Sequence, residues 1–314
     1  MIVFLALALA TACNSNGAPD GPGDGNGPPG GAVDSDKGLP PIGGPSDLDE
    51  SQKRYYIDSR SIYLAGNPAA WEVRRTEILA TKGHAGQEFL IVLLGLAEQD
   101  PERDAVHQEV ARAELSKVLR DIAASGDDWG CWYFMHMFLR GDMVFANSSF
   151  VPTCIQTGKP LYPYVRRLIN EGDLKEIQLG SVYQALGGAG RDLAVADLAH
   201  FYDRHSGPDG SILRASCMTG LGLAASESAI DALSKGLDDP DSFVREEAIK
   251  GLTCIGSAKA VPALIKALKM SKKFREKNAI LERLRQIAGD KGKKIGDTPA
   301  AWEEWWRSNG GRQG

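Results

Sequence analysis

The sequence lacks the short motifs that accompany most catalytic and metal-binding sites. It contains no GxSxG, no Walker-type phosphate loop, no GxGxxG after a strand, and neither HExxH nor CxxC. Three polar residues, His200, Asp203 and His205, lie close together near a predicted helix end. We interpret them as a solvated helix terminus rather than as a metal site. The sequence therefore predicts a non-catalytic protein without a cofactor or a metal.

The chain also lacks an excess of positive charge. Its net charge is -5 at pH 7 and its pI is near 5.6, which argues against a dedicated nucleic-acid binder because such proteins carry a basic footprint. The exception is a basic stretch between Lys266 and Lys294. We interpret this stretch as a solvated helix face, with a contact surface for an acidic partner or anionic lipid as the alternative. Six of its side chains are candidate partner contacts: Lys272, Lys273, Arg275, Lys277, Arg283 and Arg285.

The apolar run at the N-terminus is too short to cross a membrane. It extends from Ile2 to Ala10, about nine residues, whereas a spanning helix needs roughly 20. Such a run is typical of a signal-peptide core. Small residues follow, and then Cys13, an arrangement that resembles the lipobox of bacterial lipoproteins.

The lipobox resemblance implies that residues 1–12 are a signal peptide and that Cys13 becomes the lipidated N-terminus of the mature protein. A single acyl chain binds a membrane only marginally, so the two or three chains implied for Cys13 would anchor the protein stably. The resemblance therefore implies a protein anchored in the bacterial cell envelope, facing the periplasm or the exterior. The outer membrane is mildly preferred because Asn14, and not Asp, follows the cysteine.

Residues 13–47 are poor in the apolar side chains that build a core. About half of the residues after Cys13 are Gly or Pro, and most others are Asp, Asn or Ser. This composition cannot bury enough apolar surface to offset chain entropy. We therefore predict a lipidated, disordered tether, with a root-mean-square span of roughly 30 Å for about 34 flexible residues.

From Leu48 onward, strand signals are scarce and helical periodicity is common. Residues 48–160 are predicted to form an N-terminal helical region, either decayed repeats or a cap, with helices over 67–80, 87–98 and 102–124 and an irregular stretch over 141–160. Residues 161–296 are predicted to form helix-pair repeats, and residues 297–314 a capping helix. The predicted fold class is therefore all-α, an α-solenoid.

The clearest repeat signal lies between Ser228 and Ala288. Two apolar stripes with helical spacing are separated by a helix break around Pro240, and a similar unit follows after about 31 residues. The same period, applied backward, aligns Leu213-Arg214 with Val244-Arg245. Self-similarity at this period predicts a stacked helical-repeat array.

The segment from Asp239 to Arg245, followed by Ala248 and Gly256, resembles the phycobilisome-lyase-type HEAT repeat. The resemblance implies that the acid caps the second helix and that the Arg bridges to the neighbouring repeat. In the following unit, Phe274-Arg275 aligns loosely with the Val-Arg pair. The predicted signature residues are Leu213, Arg214, Asp239, Asp241, Val244 and Arg245.

Three tryptophans near the C-terminus fall on one face of a predicted helix. Thr298 is a favourable N-cap and Pro299 a favourable first residue, and Trp302, Trp305 and Trp306 follow at spacings of three and four. We expect these indoles to cover the exposed end of the last repeat. A ligand cage or a partner anchor is the alternative.

The remaining cysteines divide into two pairs. Cys217 and Cys254 fall at apolar positions of predicted second helices, so we expect both to be buried thiols. Cys131 and Cys154 flank the irregular stretch, and the compartment outside the inner membrane permits oxidation. A disulfide between Cys131 and Cys154 would staple that stretch, and the sequence leaves open whether it forms.

A solenoid presents a long curved surface rather than a deep pocket, and it usually binds other proteins. We therefore expect a scaffold or adaptor that is held at a membrane by its N-terminal lipid and that binds an unknown protein partner and no nucleic acid. The repeat resemblance also implies an alternative, a chromophore lyase or isomerase, which a polar cleft with shifted carboxylates or histidines would favour. A structural envelope spacer is the third hypothesis.

Overall fold

The computed structural model describes residues 50–78, 144–171 and 174–309, together with seven single positions between 90 and 138. Its regular elements in these ranges are all helices, so the predicted all-α class is confirmed. These residues form two compact units that divide between Ser149 and Phe150, and the sequence had suggested a division after residue 160. The predicted signal peptide, the tether and Cys13 lie outside the described residues, as do nearly all of the predicted helices 87–98 and 102–124.

The N-terminal unit begins with an antiparallel helix hairpin. Helix α1 (Glu50–Leu64) is followed by α2, of which residues 68–78 are described. The turn contains Gly66 with a φ of 67°, a conformation that glycine adopts without strain. The Asn67 side chain then accepts hydrogen bonds from the amides of Ala69 and Ala70, at 3.1 and 3.2 Å, which caps α2.

An ion pair and an aromatic contact are among the interactions that hold this hairpin together. The Arg74 guanidinium on α2 pairs with Asp58 on α1 at 2.8 Å, and Trp71 packs edge-on against Tyr63 with ring centroids 4.8 Å apart. The predicted helix over 67–80 is therefore present as α2, and its aromatic face packs against its neighbour.

The C-terminal unit consists mainly of helix pairs. Helix α3 (Val144–Thr157) spans the division between the units and is followed by a 3₁₀ turn, Lys159–Leu161. The four pairs are α4 (Tyr162–Glu171) with α5 (Glu176–Gly190), α6 (Asp192–Arg204) with α7 (Ser211–Ala224), α8 (Ile230–Gly236) with α9 (Ser242–Cys254), and α10 (Val261–Met270) with α11 (Phe274–Ala288). Helix α12 (Pro299–Asn309) follows. The helices pack in chain order, which confirms the predicted solenoid for this unit.

Helix α3 corrects the prediction of an irregular stretch over residues 141–160. It is continuous through Pro152, although a proline inside a helix removes one backbone hydrogen bond and costs about 3 kcal/mol. The neighbouring residues Phe150, Val151 and Cys154 are buried. Burial of these side chains stabilises the helix where local propensity disfavours it.

The second helices of adjacent pairs lie very close together where glycines meet. Between α5 and α7, a Cβ atom added to Gly187 would lie 2.0 Å from the carbonyl oxygen of Gly220, and one added to Gly220 would lie 2.5 Å from that of Tyr183. Between α7 and α9, a Cβ atom on Gly251 would lie 3.3 Å from the Cα of Gly222. The absence of side chains at these positions therefore sets the distance between the helices.

The second helices also run in the same direction. Positions near the start of α5 meet positions near the start of α7, as for Gly180 and Ser216, and later positions meet later ones, as for Gly187 and Gly220. Between α9 and α11, Glu246 contacts Lys273 near the two N-termini. All four N-termini of these helices therefore lie at one edge of the unit.

Turns at equivalent points of successive repeats have the same construction. The hydroxyls of Ser226 and Ser257 accept hydrogen bonds from the amides of Ser228 and Lys259, each at 3.2 Å, and each serine caps a short 3₁₀ turn before the next first helix. The predicted period of about 31 residues separates these two serines. Successive repeats therefore share the hydrogen bonds of their turns as well as the spacing of their helices.

Helix α12 closes the C-terminal end of the array. It packs against α10, with Trp302 and Trp305 buried and Trp306 half-buried. The Trp302 and Trp305 rings meet edge-on with centroids 5.6 Å apart. The side chain of Thr298 accepts a hydrogen bond from the amide of Ala301 at 3.3 Å, as expected of an N-cap.

Candidate functional site

Asp239 is buried between two helix pairs, and three groups donate hydrogen bonds to its carboxylate. The guanidinium of Arg214 on α7 donates twice, from Nε to Oδ2 at 2.8 Å and from Nη2 to Oδ1 at 3.0 Å. The Tyr202 hydroxyl on α6 donates to Oδ2 at 2.8 Å, and the Asp241 amide donates to Oδ1 at 2.9 Å. The Arg214 and Asp239 side chains are 5% and 1% exposed, so this ion pair is both desolvated and fully hydrogen-bonded.

Arg214 also fixes the loop between α6 and α7. Its Nη1 donates to the carbonyl oxygens of His205 and Gly207 at 2.8 and 2.7 Å. One guanidinium thus ties the loop of its own pair to the loop between α8 and α9 of the next pair. This is the bridge between repeats that the sequence signature implies for Arg214.

The pKa of Asp239 reflects a competition between burial and hydrogen bonding. Burial alone raises the pKa of this carboxyl group, but the hydrogen bonds from Arg214, the Asp241 amide and Tyr202, together with the Arg214 charge, lower it below the ordinary value of 3.8. Burial and the hydrogen bond to Asp239 raise the pKa of Tyr202, which keeps its hydroxyl group protonated as a donor.

Asp241 and Arg245 act within their own repeat. Asp241 Oδ1 accepts a hydrogen bond from the Phe243 amide at 2.7 Å and caps α9, as the resemblance implies. Arg245 Nη1 donates to the carbonyl oxygens of Asp239 and Pro240 at 2.6 and 2.8 Å. The expected bridge from Arg245 to the next repeat is therefore wrong. Two residues before the N-cap of α11 stands Ser271, where the preceding repeat has Asp239, so the next repeat offers no matching carboxylate.

The loose alignment of Phe274-Arg275 with Val244-Arg245 is also wrong. Val244 is fully buried and Leu213 is buried, whereas Phe274 is 77% exposed. Phe274 is the first residue of α11, and the buried residues of this helix begin at Ile280. The first turns of α11 therefore lack the core contact that the equivalent turns of α7 and α9 make.

A buried carboxylate that the sequence did not indicate lies one turn after Val244. Glu247 is fully buried, and its Oε2 lies 3.1 Å from the Thr219 hydroxyl on α7. Its Oε1 accepts a hydrogen bond from Lys250 on the same helix. An isolated Glu beside apolar positions has no distinguishing pattern, because exposed glutamates occur in the same local context.

The polar groups near the end of α6 have separate partners. His205 Nε2 lies 2.8 Å from the Tyr183 hydroxyl, Asp203 pairs with Lys235, and the His200 ring packs near Phe201. Burial, and then the charges of Arg204 and Arg214, lower the pKa of His205. Within the described ranges, no group of three or more His, Cys, Asp or Glu side chains is placed to hold a metal ion.

Cys131 and Cys154 are both fully buried thiols, and the predicted disulfide between them is absent from the structure. Cys154 lies on α3, among the buried residues that stabilise this helix. A buried cysteine packs as a small apolar side chain, so neither position requires a covalent link. Cys217 is a buried thiol as expected, and burial raises its pKa. Cys254 is buried too, but it is disulfide-bonded, so the expectation of a thiol at this position is wrong.

Three of the six predicted basic contacts are used inside the fold. Lys273 pairs with Glu246 on α9 and with Glu276 on its own helix. Arg283 donates to the carbonyl oxygen of Thr253, and Arg285 pairs with Asp297. These three side chains stabilise contacts between elements and are poor candidates for partner contacts.

The other three cations, Lys272, Arg275 and Lys277, are exposed around the N-terminus of α11. In the described part of the chain they form no ion pair, whereas Lys273 pairs with Glu246 on α9 and Glu276 on α11. This end of α11 therefore carries uncompensated positive charge beside the exposed ring of Phe274.

Apolar side chains repeat at the edge formed by the N-termini of the second helices. Ile177 and Ile212 are the second residues of α5 and α7 and are 50% and 56% exposed. Phe243 is the second residue of α9 and is half-buried, and Phe274 begins α11. We call the row Ile177, Ile212, Phe243 and Phe274 the N-terminal edge. The sequence analysis did not identify this row, because each residue alone resembles an ordinary apolar position at a helix start.

Of the helices in the described ranges, none combines the length and the apolar character needed to span a bilayer.

Comparison with known proteins identifies the repeats. Residues 195–285 match the family model for HEAT repeats, a stretch that runs from α6 to α11 and includes parts of three helix pairs. The predicted HEAT-like helical repeats are therefore confirmed for this region. A search of curated proteins found no match to the chain.

Proposed function

We propose that this chain is a membrane-anchored scaffold that holds a protein partner on its HEAT-repeat unit. HEAT repeats are commonly protein-interaction scaffolds, since stacked helix pairs offer an extended surface on a rigid support. The observation that carries the proposal is the HEAT match over residues 195–285, together with the buried Arg214–Asp239 bridge inside that region. Such a bridge fixes one repeat relative to the next, which a preformed binding surface requires.

The anchor rests on the sequence around Cys13. The apolar run, the small residues and the cysteine together support cleavage before Cys13 and lipidation of its sulfur. A Gly- and Pro-rich segment of about 34 residues then separates the lipid from the folded units, with a root-mean-square reach of roughly 30 Å. This arrangement would place the repeat unit in the bacterial envelope, outside the inner membrane and within reach of partners at the membrane surface.

Cross-linking in native membranes followed by affinity recovery tests this proposal. The wild type is compared with Cys13→Ser, which cannot be lipidated, and with Cys217→Ala, which removes a buried sulfur and leaves Cys13 intact. We expect the wild type and Cys217→Ala to incorporate labelled palmitate, to remain in the membrane fraction, and to recover one protein in a constant ratio. Cys13→Ser should lose the label, leave the membrane fraction and recover much less of that protein.

Two outcomes would contradict the proposal in different ways. Retention of Cys13→Ser in the membrane fraction would show that a lipid on Cys13 does not hold the protein at the membrane. Failure of the membrane-bound wild type to recover any protein in a constant ratio would remove the scaffold function and favour a structural spacer.

A further inference from the structure

The N-terminal edge has the geometry of a linear docking site. The second helices pack side by side in the order α5, α7, α9 and α11, and packed helices lie about 8–10 Å apart. We therefore expect the four apolar side chains of the edge to be spaced by about that distance. A helix rises 1.5 Å per residue, so side chains seven residues apart on one face of a partner helix lie about 10.5 Å apart. The two spacings are similar.

Contacts just below the edge keep neighbouring members in register. Ile177 lies one turn before Gly180, and Ile212 lies one turn before Ser216, the residue that meets Gly180 across the helix interface. Phe243 likewise lies one turn before Glu247, which faces Thr219 on α7. Three members of the row, Ile177, Ile212 and Phe243, therefore each lie within one turn of a contact between second helices, which preorganises them. The fourth, Phe274, lies in the first turn of α11, whose buried residues begin at Ile280.

Charge distinguishes the two ends of the row. At the Phe274 end, Lys272, Arg275 and Lys277 are exposed and form no ion pair within the described part of the chain. Near the other end, Lys175, Glu176 and Asp209 are exposed next to Ile177 and Ile212, so charges of both signs are present there. A surface of anionic lipid would be attracted to the first end alone, whereas a protein segment that is acidic at one end only is complementary to both ends.

We infer that the N-terminal edge docks an amphipathic helix of a protein partner. Its apolar side chains recur every seventh residue, and its acidic end meets Lys272, Arg275 and Lys277. This inference rests on the proposed scaffold function and specifies the part of the unit that makes the contact. Helix-in-groove recognition of this kind reads apolar anchors along one face of the partner helix.

Site-specific photo-cross-linking in cells tests the inference with the full-length, lipidated protein. Benzoylphenylalanine replaces Ile212 or Phe274 at the edge, or Leu193 as the control. Leu193 is 56% exposed and is the second residue of α6, a first helix, and so lies away from the edge. We expect Ile212→benzoylphenylalanine and Phe274→benzoylphenylalanine to cross-link to one protein, within a helical segment that is acidic near the Phe274 adduct. Leu193→benzoylphenylalanine should give less than a tenth of that adduct.

Other adducts would overturn the inference. Phospholipid adducts at Phe274 would identify a membrane contact, and adducts to another copy of the chain would identify self-association. Equal yields at Leu193 and Ile212 would show that the edge is not preferred. If no edge position gives an adduct while cross-linked recovery still yields the partner, the inference fails and the scaffold function stands. If neither experiment yields a partner, the proposed function fails as well.

Charge reversal gives a second, independent measurement. The variant Lys272→Glu/Arg275→Glu/Lys277→Glu changes three exposed residues that form no ion pair in the described part of the chain, so the fold should be unaffected, as circular dichroism would verify. We expect recovery of the partner to fall at least tenfold and to become less dependent on salt concentration. Recovery equal to that of the wild type would show that no acidic segment of the partner contacts these three side chains.

Discussion

At the scale of single residues, Arg214 and Asp239 connect successive repeats. A buried ion pair is stable only when its hydrogen-bonding groups are satisfied, because the desolvation cost of two charges is large. Here the carboxylate accepts four hydrogen bonds and the guanidinium also reaches two carbonyl oxygens. Removal of either partner leaves the other charge buried and uncompensated.

Substitution of Arg214 measures this effect. We expect Arg214→Leu to lower the free energy of unfolding by about 3–5 kcal/mol, the range for breaking a buried pair, in urea titrations followed by circular dichroism. The matched control is Arg166→Leu, because Arg166 pairs with Asp197 between neighbouring helix pairs at the same 2.8 Å but is 55% exposed. Its expected loss is about 0–1 kcal/mol. Similar losses for the two variants would contradict the importance of burial at Asp239.

The lowered pKa of Asp239 predicts a pH dependence of stability. Because the folded-state pKa lies below the ordinary 3.8, the contribution of this group is complete above that value and is lost as pH falls through it toward the folded-state pKa. We expect the melting temperature of the wild type to fall more steeply between pH 5 and pH 3 than that of Asp239→Asn, which cannot titrate at this position. Parallel curves for the two proteins would exclude Asp239 as a source of acid sensitivity.

Sequence reasoning was most successful where a residue type has one dominant use. The cap at Asp241 and the bridge from Arg214 were predicted because a short acid before a helix and an Arg in a repeat pattern have well-known geometries. The role of Arg245 was wrong because its outcome depends on a residue more than twenty positions away, Ser271 in place of an acid. Glu247 was missed because burial of a carboxylate is decided by neighbours from other helices.

At the scale of helices, glycines determine how closely the second helices pack. Helix α7 contributes Gly220 and Gly222 to contacts on two sides, so any side chain there would force neighbouring backbones apart. Protein interiors are packed too densely to absorb such a change without strain.

The predicted helix pairs and their period were correct because apolar periodicity is a local property of the sequence. Helix α3 was not predicted, because its internal proline and weak apolar periodicity argue against a helix. The burial that stabilises it is visible only in the structure.

Substitution of a contact glycine tests this packing. We expect Gly220→Ala to lower the free energy of unfolding by about 1–3 kcal/mol, as overpacking typically does, since the new Cβ would lie 2.5 Å from the Tyr183 carbonyl oxygen. Gly207→Ala is the control, because a Cβ there meets no atom within 4 Å and the backbone φ is -72°. Chemical denaturation of both variants decides the question, and equal stability would contradict the close approach of α5 and α7.

At the scale of the whole molecule, the proposed arrangement is a lipid anchor, a tether and a repeat unit. The solenoid fold was predictable because apolar stripes with helical spacing recur in the sequence after about 31 residues. The row of exposed apolar residues at the N-terminal edge was not predictable, because it arises only when parallel helices bring together residues about 31–35 positions apart. Binding surfaces of this kind depend on packing, which local patterns do not encode.

Partner recovery by a chain that is anchored but has a disrupted array tests the central claim most directly. Cells express the wild type, Gly207→Ala or Gly220→Val, and recovery after cross-linking is normalised to the amount of each chain in the membrane. The account predicts wild-type recovery for Gly207→Ala and a loss of at least tenfold for Gly220→Val, whose larger side chain cannot fit between α5 and α7. Undiminished recovery by Gly220→Val, with limited proteolysis showing that its repeat unit is unfolded, would contradict the claim that the HEAT-repeat unit holds the partner.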